Sequence, residues 1–162
     1  DIRVEDTIKT VHRMHGTDGS KNVEFDIDRQ ESEGTKKVFG LSGPLVDALY
    51  NGRLFIVDEL DARLHPLLTR HLIQLFNSNE SNPRNAQLIF ATHDTNLLDR
   101  AIFRRDQIWF AEKDQYSATH LFSLVEYKVR IDASFEKDYI QGRYGAIPFI
   151  GDLRLLMGEI NA

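Results

Sequence analysis

The stretch RLFIVDELDARLHP, residues 53–66, runs from an apolar segment straight into Asp58 and Glu59, then on to Asp61, His65 and Pro66. LFIV is continuously apolar rather than alternating, which predicts a strand buried on both faces, as in a parallel sheet. Pro66 suits the first position of a helix, where its missing N–H costs nothing, and Leu68, Leu72, Leu75 and Phe76 form an inward stripe to about Asn77. Packing gives no reason to end an apolar strand on two carboxylates. In an open parallel sheet, that end of the strand is where ligands sit.

The neighbouring segments extend the pattern. NSNESNPRN (77–85) reads as a surface loop, and QLIFATHD (87–94) as a second buried strand that ends on His93. Thr95 to Arg100 predicts a short helix, QIWFAEKD (107–114) a third strand, and ATHLFSLVEY (118–127) a fourth, joined to the third by a short turn. Upstream, VEFDID (23–28) alternates as a half-buried strand does. Val38, Leu41, Leu45, Ala48 and Leu49 then recur at helical spacing up to Asn51-Gly52, a helix stop. Pro44 inside that helix predicts a kink or two shorter helices. Asp1 to Asn22, closing in the turn-rich GTDGSKN, predicts a weakly structured lead-in from an upstream element. The fold class expected is α/β: three layers, a mostly parallel sheet flanked by helices, and an antiparallel edge from the last strand pair.

Composition narrows the class. A chain of 162 residues, 41% hydrophobic and 28% charged, suits one soluble domain with its own core. The net charge of -5 argues against a broad nucleic-acid-binding surface and leaves room only for a local basic patch. Having no cysteine excludes disulfides and thiolate metal sites and is compatible with the cytosol. No apolar run approaches the roughly 18 residues of a membrane span, and no signal-peptide pattern opens the chain. The expected location is the cytoplasm, away from membranes.

Three short motifs carry the chemistry. LFIVDE looks like a Walker B motif, in which the strand-end acid holds Mg²⁺ through water and the next acid activates the attacking water. Helix capping or simple solvation accounts for the same pair more plainly. IFATHD ends in His93, whose imidazole suits a γ-phosphate or the attacking water; a polar loop histidine is the plainer account. ESEGTKK (31–37), at a helix start, offers backbone N–H groups to an anion, with Gly34 permitting close approach; an ordinary cap at Ser32 or Thr35 does the same locally.

In this order the three motifs resemble the C-terminal half of an ABC-type, SMC-like ATPase head: signature motif, Walker B, switch histidine. More narrowly, SEGTKK, FIVDELDARLHP and LIFATHD are similar to bacterial AAA-labelled ATPases of the overcoming-lysogenization-defect and abortive-infection kind, over roughly residues 23–127. The resemblance implies ATP and Mg²⁺ as cofactors, ATP hydrolysis as the activity and anti-phage defence as the setting. It implies Asp58 as the magnesium-shell carboxylate, Glu59 as catalytic base and His93 as the γ-phosphate contact. Ser32, Glu33, Gly34 and Thr35 would form the signature loop facing ATP held by a second subunit. The loop of residues 60–65, with Asp61 and His65, would lie between subunits at the nucleotide; His65 stands where the family usually has an Asp after the Leu.

One departure is larger. No G-x-x-x-x-G-K-S/T occurs in the chain, so the phosphate-cradling loop is expected from an N-terminal lobe outside it, with residues 23–162 as the C-terminal lobe and no turnover by the fragment alone. A Toprim-type metal-dependent nuclease and a non-catalytic dimerising or docking module are the alternatives. The former wants a lone Glu and then Asp-x-Asp, and here the acids are Asp58, Glu59 and Asp61. The terminal EKDYIQGRYGAIPF carries Lys137, Tyr139, Arg143 and Tyr144, read first as aromatic packing with solvated charges. In the resembled family, this end often meets a companion nuclease or effector.

Overall fold

The computed structural model describes residues 7–16, 19–130 and 133–147. The expectations for residues 1–6 and for the far C-terminal end, 148–162, lie outside the described residues. The chain divides into two compact units, Asp1–His93 and Asp94–Ala162. The fold is α/β, with helices and short sheets of both parallel and antiparallel pairing.

The first unit opens with β1 (Lys9–Gly16) paired antiparallel to β2 (Gly19–Asp26), in register from Lys9 with Asp26 to Gly16 with Gly19. The polar lead-in of the sequence reading is therefore a strand as far back as Lys9. Its side chains are almost all exposed, so its backbone pairing leaves no apolar period to read. β2 passes into a short helix, α1 (Ile27–Gln30), capped by Asp26, whose side chain accepts from the Asp28 and Arg29 N–H groups. Glu31 follows, and its largely buried side chain (7% exposed) accepts from Thr10 Oγ1 and meets His12 Nε2 on β1.

Helix α2 (Glu33–Asn51) starts earlier than its apolar stripe suggests, because the Ser32 hydroxyl caps it by accepting from the Thr35 N–H at 3.1 Å. It is one helix and not two, with Pro44 inside it. An interior proline clashes with the carbonyl four residues back, here Gly40, and removes one hydrogen bond, at a cost of about 3 kcal/mol. Gly40 and Pro44 are both exposed and no heavy atom lies within 4 Å of a Cβ built at Gly40, so the freed carbonyl can turn to water. Leu45 and Ala48, buried just beyond, hold the helix in place. Gly52 ends it in the left-handed conformation (φ 66°), its N–H donating to the Ala48 carbonyl.

β3 (Leu54–Val57) and β4 (Gln87–Phe90) pair in parallel, with α3 (Pro66–Asn77) between them in sequence. Burial on both faces does not hold. Phe55 and Val57 face inward, and Phe55 stacks on Phe76 of α3 at 6.4 Å between ring centroids. Leu54, Ile56 and Ile89 are 51%, 66% and 55% exposed on the other face. A strand apolar on both sides reads as doubly buried in sequence, yet nothing among the described residues of this unit covers the second side. The loop after α3 is tied down by Asn82, which is 6% exposed and bonds the Phe76 and Ala86 carbonyls and the Ala86 N–H.

In the second unit, residues 95–97 form a 3-10 turn where a helix to Arg100 was expected. β5 (Trp109–Lys113) and β6 (Thr119–Ser123) pair antiparallel, as expected. Ile108, Phe110, Leu124, Phe135 and Tyr144 form the core, with α4 (Phe135–Ile140) contributing Phe135. Among the described residues the pairing is in three two-stranded sheets rather than one continuous sheet. No helix of the described residues is long and apolar enough to cross a membrane.

The Glu31 contact yields a test. The hydrogen bond from Thr10, then that from His12, holds its carboxyl below the ordinary value of 4.5 in the folded chain. A depressed carboxylate contributes stability that is present above the unfolded value and is lost as pH falls through the folded one. Thermal melting should therefore show Glu31→Gln less stable than the native chain at pH ~6, the difference shrinking as pH falls below the ordinary value of 4.5. Parallel curves would contradict the contact.

Candidate functional site

β3 delivers Asp58 and Glu59, both exposed, at the carboxyl end of the parallel pair. β4 delivers His93, also exposed, beyond the same end. The two ends are stitched together: the Ala91 N–H donates to the Val57 carbonyl and the Leu60 N–H to the Ala91 carbonyl, each at 3.1 Å. Parallel pairing thus sets the two acids and the histidine at the same end of the strand pair.

The acid loop is compact and strained. Glu59 and Arg63 have left-handed backbones, with φ of 48° and 65°. Each costs about 1–2 kcal/mol in a residue with a Cβ. Leu60, 2% exposed, anchors the loop between them, and burying such a side chain contributes about 2 kcal/mol. That burial offsets much of the strain. Turn bonds from the Ala62 N–H to the Glu59 carbonyl and from the Leu64 N–H to the Asp61 carbonyl close the loop.

The start of α2 docks on this loop. Lys37 donates its ammonium to the Glu59 carbonyl, and Glu33 pairs with Arg63 as well as with Lys36. The Lys36 hydrogen bond, ahead of the Arg63 charge, holds the Glu33 carboxyl below its ordinary range. Gly34 has a local reason for being glycine: a Cβ there would stand 2.8 Å from the Arg63 carbonyl oxygen. The Ser32 hydroxyl meets Thr35 Oγ1 at 2.8 Å while capping the helix. Glu33 is thus committed to cations of its own chain, of which only Lys36, at i+3, could have been inferred from spacing. Lys37 and Arg63 were not singled out from sequence; only the folded loop brings them to the site.

His65 caps α3: its Nδ1 accepts from the Leu67 N–H at 3.2 Å, and its carbonyl receives the Leu68 N–H at 2.8 Å. Asp61 differs. Its Oδ1 is buried and meets no hydrogen-bond partner. Buried polar atoms are nearly always paired, so this oxygen is where an ordered water, a cation or a polar ligand group would be accommodated. Among the described residues no three His, Cys, Asp or Glu side chains cluster as metal ligands. A divalent ion at Asp58 would then draw most of its ligands from water and phosphate, as magnesium does in phosphoryl-transfer sites. The exposed Asp58 carboxylate at the strand end is the single oxygen donor that such use asks of the protein.

The cap makes a prediction. His65→Ala should cost about 1 kcal/mol in urea unfolding, and His65→Asp should recover most of it, since a carboxylate caps as well. An unchanged midpoint in His65→Ala would remove the capping role and leave the side chain free for a ligand.

All of these residues, from Ser32 to His93, fall within the part of the chain that matches a known family. No curated protein matches the chain. A family model described as "AAA domain, putative AbiEii toxin, Type IV TA system" matches residues 6–99, more than half of the chain, and the chain belongs to that family.

Proposed function

We propose that this chain is the C-terminal lobe of an ABC-type, SMC-like ATPase head that binds and hydrolyses ATP with Mg²⁺ in a bacterial abortive-infection or related anti-phage system. The coarser statement, an AAA-type nucleotide-binding domain of the kind that works as an ATPase with ATP and Mg²⁺, follows from the family. One observation carries the finer reading: the parallel pairing of β3 and β4 puts Asp58, Glu59 and His93 on one edge, with the capped start of α2 held against the acid loop. Three-layer completion of the sheet and a phosphate-cradling loop from sequence outside these 162 residues belong to the same proposal, because no such loop motif is present.

In this reading Asp58 holds the metal's water shell and Glu59 takes a proton from the attacking water. His93 donates a hydrogen bond to the γ-phosphate as charge moves in the transition state. Magnesium, if held through water at the Asp58 carboxylate, would supply positive charge to the phosphate oxygens. The left-handed backbone at Glu59, fixed by Lys37 and Leu60, sets the direction in which the base points. The loop of Ser32, Glu33, Gly34 and Thr35 meets nucleotide held by a second subunit through the amides that the Ser32 cap, which takes the Thr35 N–H, leaves over, and Asp61, whose buried Oδ1 meets no hydrogen-bond partner, belongs to the same proposed junction. A companion nuclease or effector and a cytoplasmic setting remain part of the proposal.

The test uses the protein that carries the phosphate-cradling loop. Glu59→Gln should lower turnover by about a hundredfold or more while ATP binding stays within about threefold, and should trap an ATP-bound dimer visible by light scattering. Adding Ser32→Asp keeps a good helix cap but sets a negative charge against the partner's nucleotide, so the trapped dimer should be lost. Full dimerisation of the double variant would refute the signature assignment, and unchanged turnover in Glu59→Gln the catalytic one.

A further inference from the structure

The second unit holds a cleft of about 360 Å³ lined by Tyr127, Lys128, Arg130, Asp138, Arg143 and Tyr144. Its inner wall is set by groups that are already satisfied. Tyr144, 3% exposed, donates its hydroxyl to Asp138 Oδ2 at 3.1 Å, and Arg143 pairs with Asp138 Oδ1 at 2.9 Å. Both oxygens of the acid lining the cleft are thereby engaged. Burial, then Asp138, raises the Tyr144 hydroxyl to about 12, so it stays protonated and keeps donating. Tyr127, half-buried and lining the cleft, donates to the Tyr144 carbonyl at 2.9 Å.

The rim is cationic and its backbone is fixed. Lys128 and Arg130 are exposed, while Arg143 commits one nitrogen to Asp138. Behind them, Arg105 donates to the Tyr127 carbonyl at 3.3 Å, and Arg100 to the carbonyls of Arg130 and Ala133. Arg100 also lies over the Phe135 ring at 4.5 Å. Two further arginines thus clamp segment 127–130 and add positive charge to it. Three cations on one cleft against a single committed carboxylate exceed what a lone carboxylate ligand needs. They match the several oxygens of a phosphate, which guanidinium groups bind as a fork.

We propose that this cleft binds the phosphate of a nucleotide unit, free or within a single strand, with Lys128, Arg130 and Arg143 on its oxygens and Tyr127 beside the sugar or base. The volume is within the range of small-ligand sites and exceeds what a bare anion requires. Aromatic surface next to a cationic groove is how single strands are held without regard to sequence. The chain's net charge of -5 makes this a local site and not a broad nucleic-acid face. This inference does not rest on the ATPase reading, whose residues lie in the first unit.

The test is fluorescence anisotropy with a labelled dT12 strand, with adenosine monophosphate, inorganic phosphate and an acidic Glu-rich peptide as competitors. The native chain should bind the strand with affinity that falls as salt rises. Lys128→Gln with Arg130→Gln should weaken it at least tenfold and lower the salt slope by about 1.4, at about 0.7 per phosphate contact on a single strand. Circular dichroism of the double variant should be unchanged. Competition by adenosine monophosphate marks a free nucleotide as a sufficient ligand, and binding of the strand without such competition marks the polymer. The proposal is overturned if neither the strand nor adenosine monophosphate binds, if the double variant binds as the native chain does, or if the acidic peptide displaces the strand.

Discussion

The close approach of Gly34 to the Arg63 carbonyl is the contact on which the candidate site depends. A Cβ at position 34 would be 2.8 Å from that oxygen, well inside ordinary contact, so the first turn of α2 and the acid loop can meet only through a glycine. Once they meet, Glu33 reaches Arg63 and Lys37 reaches the Glu59 carbonyl, and the two left-handed residues are held at either side of the buried Leu60. Exposed ion pairs of this kind are worth little singly. Their role is to fix geometry, and the backbone contact makes that geometry available. Motifs far apart in sequence, ESEGTKK and FIVDELDARLHP, become one piece of structure.

Much of this frame was legible. Pro66 at the head of α3, Gly52 at the foot of α2 and the apolar runs of β3 and β4 each act through a local rule of backbone or periodicity, and local rules can be read from one sequence. What escaped reading depends on distant partners. β1 is held by backbone pairing with almost no buried side chain, so it leaves no pattern. The open face at Leu54, Ile56 and Ile89 has the composition of a covered one, since the sequence records what a residue prefers and not what lies against it. Pro44 predicted a kink or two shorter helices because its cost is local, and of these the division into two is absent, with Leu45 and Ala48 buried just beyond it in the single helix.

The candidate site divides the same way. Asp58, Glu59 and His93 were singled out because a strand end is a position that sequence marks. Gly34 was noticed as a place for close approach, but the group that approaches in this structure is the backbone of Arg63 in the same chain. His65, read as a member of an inter-subunit loop, has a local task as a helix cap. The second unit offered least to sequence reasoning. Its tyrosines pack as expected, Tyr139 on Phe110 and Tyr144 in the core, while the cations around them form a rim only once segment 127–130 is clamped by Arg100 and Arg105.

The start of α2 and the acid loop are packed together at the Gly34 contact, and hydrogen exchange on Gly34→Ala tests most directly whether that contact organises the loop. One added methyl should push the loop off the helix, so the Leu60, Ala62 and Leu64 amides, each hydrogen-bonded in the native loop, should exchange at least tenfold faster. Amides of the β1–β2 hairpin and of the β5–β6 pair should keep their native rates. Unchanged protection at Leu60, Ala62 and Leu64 in a folded Gly34→Ala chain would show that the loop holds its shape alone and that the Gly34 contact does not organise the site.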